Sequence, residues 1–171
     1  MKYTFFNLPN EENGIISPYN NLHFFVNNQK FYNIYQYLIY KKALFFEDTI
    51  IAQKILNTSD IKLIKFYNNI IKTNSQNKNL DDFNNKLVEF LLEGLKLQVN
   101  QNYELYIFIK TNNNYIYCDL HDKILSIGYD IFNAKFNQDK WGSNLYGRSL
   151  DIIKNNLDNY NIANGKHIES I

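Results

Sequence analysis

Residues 141–147 have the sequence Trp-Gly-Ser-Asn-Leu-Tyr-Gly, and they come directly before an apolar stretch with helical spacing. The two glycines, Gly142 and Gly147, indicate a backbone that either takes a positive φ or lets another chain segment approach closely. Trp141 predicts either a large core side chain or a flat wall that stacks on a planar ligand. We therefore expect this segment to line one side of a pocket and to lead into a helix.

Periodic patterns in the rest of the chain predict a small sheet and several helices. Phe24–Val26 and Gln29–Tyr32 flank an Asn-Asn pair, which predicts a β-hairpin. Tyr115–Asp119 alternates and predicts another strand, whereas residues 121–140 are predicted to form a loop. The predicted helices are Ile34 to about Phe45, one opened by Asp48, one capped by Ser59 or Asp60, one after Asp81 and Asp82, about Tyr103–Lys110 and about Leu145–Leu157. Together these elements predict an α+β fold, a single mainly helical domain with a small sheet.

The composition is that of a folded globular chain with balanced charge. The 171 residues are 45% hydrophobic and 20% charged, and the formal net charge is +1. A net charge this small gives no long-range field that would steer the chain toward nucleic acid or an anionic membrane. The composition therefore excludes a disordered chain and a nucleic-acid-binding protein that relies on high overall positive charge.

Cysteine use and the first residues indicate a reducing compartment. Cys118 is the single cysteine, so no internal disulfide can form. At this position in a strand, a small buried hydrophobic side chain is a better interpretation than a nucleophile. The first residues lack the apolar core of a signal peptide, and no apolar run approaches the roughly 20 residues that span a bilayer. We therefore expect a cytoplasmic protein with no membrane association.

The common catalytic and phosphate-binding motifs are missing from the sequence. It has no phosphate-binding glycine loop, no paired cysteines, no His-Glu-x-x-His pattern and no Gly-x-Ser-x-Gly elbow. The three histidines, His23, His121 and His167, are far apart in the chain, which argues against a metal site.

Asp122 and Lys42 are the charged residues for which the pattern offers a chemical role. Asp122 follows the strand Tyr115–Asp119, and a carboxylate at a strand end can act as a base or orient a ribose. The alternative is a turn or capping aspartate. Lys42 lies in the C-terminal half of its helix, where it either binds a phosphate or extends into solvent. The residues alone leave both alternatives open.

Several short segments follow one another in a distinctive order along nearly the whole chain. They are Ile16-Ser17-Pro18-Tyr19; Val26 with Gln29-Lys30; Tyr37 and Lys42; Leu97–Asn102 with Leu105 and Thr111; Asp122 and Gly128; and finally Trp141, Gly142, Asn144, Leu145 and Gly147. Their order and spacing resemble those of the NADAR family, the YbiA-like N-glycosidases. The resemblance implies a YbiA-like fold for residues 1–158, with residues 159–171 as a C-terminal tail.

The resemblance also implies an activity, the hydrolysis of an N-glycosidic bond to a ribose. Family substrates are a ribosylamino-pyrimidine phosphate and ADP-ribose attached to nucleic-acid bases. We therefore expect a nucleotide-like or ADP-ribose-like small-molecule ligand, with nucleic acid as a partner only in the form of a modified substrate. The resemblance implies no metal and no organic cofactor. In such a site a carboxylate stabilises the oxocarbenium-like transition state or positions water.

The matched positions imply roles for individual residues. Asp122 and Tyr35 correspond to catalytic positions. The substrate-binding positions are Lys42, Ser17, Tyr117, Trp141, Asn144 and Gly142.

The chain departs from the family pattern at positions that carry chemistry. The family glutamates fall at Tyr35 and Tyr117, the Gly-Arg pair falls at about Tyr67-Asn68, and a tryptophan falls at Leu125. A tyrosine cannot replace a carboxylate as an anion at neutral pH. Two hypotheses follow. The first is an active N-glycosidase that uses Asp122 instead of the missing glutamate. The second is a degenerate member that binds a nucleotide or ADP-ribose, or serves as a structural or interaction module with a protein partner.

Overall fold

The computed structural model describes residues 2–73 and 78–157, and within them the chain forms seven α-helices and four short strands. The strands are β1 (Thr4–Phe6), β2 (Phe24–Val26), β3 (Gln29–Phe31) and β4 (Tyr115–Tyr117). The helices are α1 (Ile34–Phe45), α2 (Thr49–Leu56), α3 (Ile61–Ile70), α4 (Leu80–Gln101), α5 (Tyr103–Thr111), α6 (Ile131–Ala134) and α7 (Leu145–Asn155), with 3₁₀ turns at Gly14–Ile16 and Gln138–Lys140. The predicted α+β class, mainly helical with small sheets, is confirmed.

The chain divides into two compact units. One combines the segment up to Asn20 with the chain from Val99 onward, and the other is Asn21–Gln98. In the second unit, β2 and β3 form the predicted antiparallel hairpin. Its turn residues Asn27 and Asn28 have φ values of 48° and 65°, the left-handed geometry that a two-residue hairpin requires.

The helices α1 to α3 begin at N-caps that the sequence predicted. The Asn33 side chain accepts a hydrogen bond from the Gln36 N–H, and the Asp48 side chain accepts one from the Ile51 N–H. Asp60, rather than Ser59, caps α3 by accepting from two backbone N–H groups. Each cap satisfies donors that the first helical turn leaves without a partner, so these starts are fixed by local chemistry.

Gln36 joins α1 to the end of α2. Its side chain is fully buried, and its Oε1 accepts from the Tyr32 N–H at 2.7 Å. Its Nε2 donates to the carbonyls of Ile55 at 2.9 Å and Thr58 at 2.8 Å. These bonds fix the rotation of α1, on which positions 35 and 42 lie seven residues apart and therefore on one face.

The long helix α4 carries the apolar stripe that the sequence predicted. The predicted stripe is Phe83, Leu87, Phe90, Leu91 and Leu95, and all of these are buried except Phe90, which is partly exposed. Asp81 and Asp82 lie in its first turn, where the helix dipole favours negative charge. The helix extends to Gln101, and α5 follows after a single residue.

In the other unit, β1 pairs in parallel with β4, so that Thr4 lies beside Tyr115 and Phe6 beside Tyr117. Strand β1 was not predicted, because its three residues have no adjacent turn signal and their pairing partner β4 lies far away in the chain. The two faces of this small sheet bury different side chains. Phe6 stacks on Tyr117 with ring centroids 5.3 Å apart, whereas Phe5 packs on the opposite face against Trp141.

Residues 121–140 were predicted to be a loop, and this prediction is corrected by a short helix within them. Helix α6 begins after Asp130, whose side chain accepts from the Asn133 N–H at 2.8 Å. Strand β4 ends at Tyr117, two residues earlier than predicted, because the Asp119 N–H donates to the Ser126 hydroxyl at 2.6 Å instead of continuing a ladder.

None of the helices in residues 2–73 and 78–157 combines the length and apolar character needed to cross a membrane. The predicted C-terminal tail, residues 159–171, lies outside the described residues.

Candidate functional site

The two glycines of the Trp141–Gly147 segment are required by close backbone approach. A Cβ atom at Gly142 would lie 2.3 Å from the Lys123 carbonyl oxygen, and one at Gly147 would lie 2.1 Å from the Tyr115 carbonyl oxygen. Neither has a positive φ. Of the two alternatives that the sequence left open, close approach is therefore confirmed.

Asn144 completes the free edge of β4. It takes a left-handed conformation with φ of 49°, and its side-chain Oδ1 accepts from the Tyr117 N–H at 3.0 Å. Its Nδ2 donates to the Tyr115 carbonyl at 2.9 Å. The amide thus pairs with β4 as a neighbouring strand would. Both ends of the side chain are used by the fold, and the side chain makes no capping bond to α7.

Trp141 packs inside an aromatic cluster. Its indole N–H donates to the Ala134 carbonyl at 2.9 Å. Its ring meets Tyr3 and Phe5 edge-on, with centroids 5.5 Å and 6.2 Å away. The packing alternative is the one that these contacts favour. Cys118 belongs to the same cluster, and burial raises the pKa of its thiol to about 12, as expected for a buried hydrophobic side chain rather than a nucleophile.

Tyr117 is buried at the end of β4 beside acidic side chains. Its hydroxyl donates to the Asp119 carboxylate at 3.4 Å, and only 2% of the residue is exposed. Burial raises the pKa of Tyr117 far above its usual range, and the neighbouring Tyr19, Asp119 and Asp122 raise it further. The phenol is therefore neutral at neutral pH.

Asp122 has one carboxylate oxygen committed to the loop and one that is not. Its Oδ1 accepts from the backbone N–H groups of Ile124 and Leu125, both at 2.8 Å. Its Oδ2 makes no hydrogen bond with any described residue, and the side chain is partly exposed. The turn aspartate that the sequence left as an alternative is observed, and its two backbone hydrogen bonds fix the direction of the second oxygen.

Sequence reasoning missed three residues around Tyr117, namely Tyr19, Asp119 and Ser126. The fully buried Ser126 hydroxyl donates to the Tyr117 carbonyl at 2.9 Å and thereby ties the Asp122 loop to β4. Ser17, a predicted binding residue, is buried and accepts from the Tyr19 N–H through its hydroxyl at 3.3 Å. Asp119 was visible in sequence at the end of the alternating strand, but Tyr19, whose side chain hydrogen-bonds Tyr117, lies about a hundred residues away and carries no local signal.

In the unit Asn21–Gln98, the structure places Tyr35 and Lys42 on α1. Tyr35 is 8% exposed. The Lys42 ammonium donates to Asn68 Oδ1 at 2.7 Å and forms no ion pair with any described residue. Burial lowers the pKa of Lys42. Asn68 is the position at which the family resemblance places an arginine, so this lysine has a neutral amide as its partner.

Comparison with known proteins decides the ancestry of this arrangement. The NADAR domain model matches residues 4–158. The chain belongs to the NADAR family. Among solved structures, the NMR structure of the E. coli protein YbiA is similar in fold to this NADAR chain, with a TM-score of 0.71 and 14% sequence identity over 99% of this chain and 94% of that one. No curated protein matches the chain significantly.

The predicted site residues of this NADAR protein fall into both compact units. Tyr35 and Lys42 belong to the unit Asn21–Gln98, and the remainder belong to the other unit: Ser17, Tyr117, Asp122, Trp141, Gly142 and Asn144. In the unit that contains Val99 onward, the charge of Asp122 contributes to the raised pKa of Tyr117, while Trp141 and Asn144 serve the packing of the same unit. In residues 2–73 and 78–157, no group of three or more His, Cys, Asp or Glu side chains is arranged to hold a metal ion.

Proposed function

We propose that this NADAR protein is an N-glycosidase that cleaves the bond between a ribose and its base, with Asp122 as the carboxylate that acts at the sugar. The observation that supports the proposal is the Oδ2 of Asp122, which makes no hydrogen bond with any described residue while two backbone hydrogen bonds on Oδ1 fix the orientation of the carboxylate.

The chemistry needs a negative charge near the anomeric carbon, because cleavage of the N-glycosidic bond develops positive charge on the ribose. A carboxylate fixed in direction stabilises that charge or positions the attacking water, and such acid–base roles contribute rate factors of about 10² to 10⁴. The neutral phenol of Tyr117 does not supply this charge, and its single O–H donates to Asp119.

The substrate class follows from the family resemblance, and it comprises ribosylamino-pyrimidine phosphates and ADP-ribose linked to a base. We assign to Lys42 the role of binding a phosphate as a point charge. Its ammonium is partly buried, donates to a neutral amide and forms no ion pair with any described residue. Trp141, Gly142 and Asn144 then act by shaping the backbone around β4 rather than through free polar groups.

A second candidate function is binding of ADP-ribose or a nucleotide without hydrolysis. The specific observation in its favour is that Tyr35 and Tyr117, which take the positions of the family glutamates, are both buried. A tyrosine at such a position lacks the negative charge that the family glutamate carries at neutral pH.

The test compares hydrolysis and binding in the same protein preparation. Asp122→Asn keeps an Oδ1 acceptor for both backbone bonds and removes the charge, so folding is preserved. Asp130→Asn is the matched control, because Asp130 also caps through Oδ1 but lies at α6. We expect the unaltered protein to release the base from ribosylamino-pyrimidine phosphate or from an ADP-ribosylated oligonucleotide. The rate of release should fall about 10²-fold or more in Asp122→Asn and stay unchanged in Asp130→Asn.

Three outcomes are distinguishable in this test. Calorimetric binding of ADP-ribose with no turnover in the unaltered protein supports the second candidate and contradicts the first. Turnover that survives Asp122→Asn rejects the role of that carboxylate. The absence of both binding and turnover rejects both candidates.

A further inference from the structure

A cavity of about 500 Å³ opens on the Phe5 face of β1, and it includes none of the residues proposed above to act on a ribose. Its lining lies entirely in the unit that contains the N-terminal segment and the chain from Val99 onward. This volume lies within the range of about 300–1,000 Å³ that is typical of small-molecule sites. The cavity is therefore large enough to hold a ligand.

The floor of the cavity is aromatic and preformed. Tyr3 and Phe5 alternate along the chain at β1 and line the cavity together, with ring centroids 5.7 Å apart. Trp141 contacts both rings edge-on, and its own position is fixed by the bond from its indole N–H to the Ala134 carbonyl. Because the rings are already ordered, a planar ligand that stacks on them loses little free energy to rearrangement.

Two charged side chains of opposite sign line the same cavity without forming an ion pair. The Lys135 ammonium lies 5.9 Å from the centroid of the Phe5 ring. Neither Lys135 nor Glu12 forms an ion pair with any described residue. The Glu12 carboxylate also makes no hydrogen bond with any described residue. The loop that carries it is anchored, because the side chain of the next residue, Asn13, donates to the Phe5 carbonyl at 2.9 Å.

We propose that this cavity binds a small zwitterionic molecule with an aromatic ring, the chemical class of a free aromatic α-amino acid. The ring stacks on Tyr3 and Phe5, the ligand ammonium binds Glu12 and the ligand carboxylate binds Lys135. One charge of each sign suits a zwitterion, whereas a phosphate dianion would meet one lysine and a repelling carboxylate. The proposal does not depend on N-glycosidase activity, because its residues differ from those assigned to that reaction.

L-Phenylalanine is the probe, because it does not absorb at the excitation wavelength of tryptophan. Trp141 is the single tryptophan and contacts the cavity floor, so its fluorescence reports occupancy. We expect saturable binding with a Kd of about 1 mM or tighter, confirmed by calorimetry. Lys135→Met and Glu12→Gln should each weaken binding by about tenfold or more, because each removes a charge-assisted hydrogen bond.

The matched controls are Lys140→Met and Glu11→Gln, which remove nearby charges at residues that do not line the cavity. Both should leave Kd unchanged, and all four variants should show the thermal midpoint of the unaltered chain, because the altered residues are exposed. Phenylalaninamide, which lacks the carboxylate, should bind about tenfold more weakly than phenylalanine, and Lys135→Met should weaken it no further.

Three results would overturn the proposal. The first is no saturable binding of phenylalanine, tyrosine or tryptophan at millimolar concentration. The second is equal weakening by the control variants. The third is tighter binding of AMP than of phenylalanine through Lys135, which would assign the cavity to a phosphate ligand. Asp122→Asn should leave phenylalanine binding unchanged, so failure of this proposal and failure of the proposed hydrolysis are separable.

Discussion

The segment Trp141–Gly147 and the loop Asp119–Ser126 lie in the same compact unit, and both contain residues that the sequence assigned to a ligand site. In the first, the indole N–H of Trp141 and both ends of the Asn144 amide are bonded to main-chain groups. In the second, the Oδ1 of Asp122 accepts two backbone hydrogen bonds within the loop, and its Oδ2 makes none with any described residue. The difference separates side chains whose polar groups are used by the fold from one whose second carboxylate oxygen makes no hydrogen bond with any described residue.

The comparison predicts the largest loss of stability at Gly147. Gly147→Ala adds a Cβ that meets the Tyr115 carbonyl oxygen at 2.1 Å, a backbone atom that cannot move without breaking β4. The intrinsic helix preference of alanine, worth about 1 kcal/mol, does not offset this clash. We expect the free energy of unfolding in urea to fall by about 3 kcal/mol or more.

Gly94→Ala is the matched control, since a Cβ there would meet side-chain atoms of Ile34 and Tyr37 at 2.7 Å rather than backbone. Side chains can adjust, so its loss should be the smaller of the two. An equal or larger loss at Gly94 would contradict the view that the last helix is held against the backbone of β4.

A smaller loss is expected at Asn144. Asn144→Gly keeps a residue that tolerates the left-handed backbone and removes only the amide, which leaves the Tyr117 N–H and the Tyr115 carbonyl without their partner. We expect a loss of about 2 kcal/mol in the free energy of unfolding. Asn114→Gly is the control, because Asn114 has a φ of 53° and bonds at an exposed position. Similar losses in the two variants would show that the backbone, not the amide, carries the effect.

The smallest effect concerns the buried hydroxyl of Tyr117 and is seen only in alkali. The pKa of Tyr117 is raised in the folded state, so the unfolded chain loses this proton first, and stability is present below about pH 10 and falls above it. In Tyr117→Phe the free energy of unfolding should fall less steeply with pH, by about 1.4 kcal/mol per pH unit. Urea titrations at pH 9, 10 and 11 measure this slope, and identical slopes would place the hydroxyl in water.

Local chemistry made much of the fold predictable. Asn33, Asp48 and Asp60 cap the helices that the sequence placed after them, and Asn27 and Asn28 form the expected hairpin turn. These signals lie within a few residues of the structure that they specify. Strand β1 escaped prediction because its partner β4 lies far away in the chain, and helix α6 because four residues are too few to show a helical period.

The candidate site was less predictable, because the hydrogen-bond partners of its polar side chains are residues distant in the sequence. The sequence showed Asn144 and Trp141 beside glycines, but it did not show that Tyr115, Tyr117 and Ala134 would use their hydrogen-bonding groups. For Asp122 the local turn was a stated alternative, and the role of its second oxygen depends on Tyr117, which the sequence places five residues away without indicating direction.

Asparagine takes five of the six positive-φ positions occupied by residues other than glycine in the described chain, namely Asn13, Asn27, Asn28, Asn114 and Asn144, with Glu47 as the sixth. Glycine would adopt these conformations without strain, but it also gives the unfolded chain more freedom to lose on folding. Asparagine at these turns introduces a small steric strain in the folded chain, but it lowers the conformational entropy of the unfolded chain. The choice of asparagine over glycine at these turns thus affects stability partly through the unfolded chain, in which the turns are not formed.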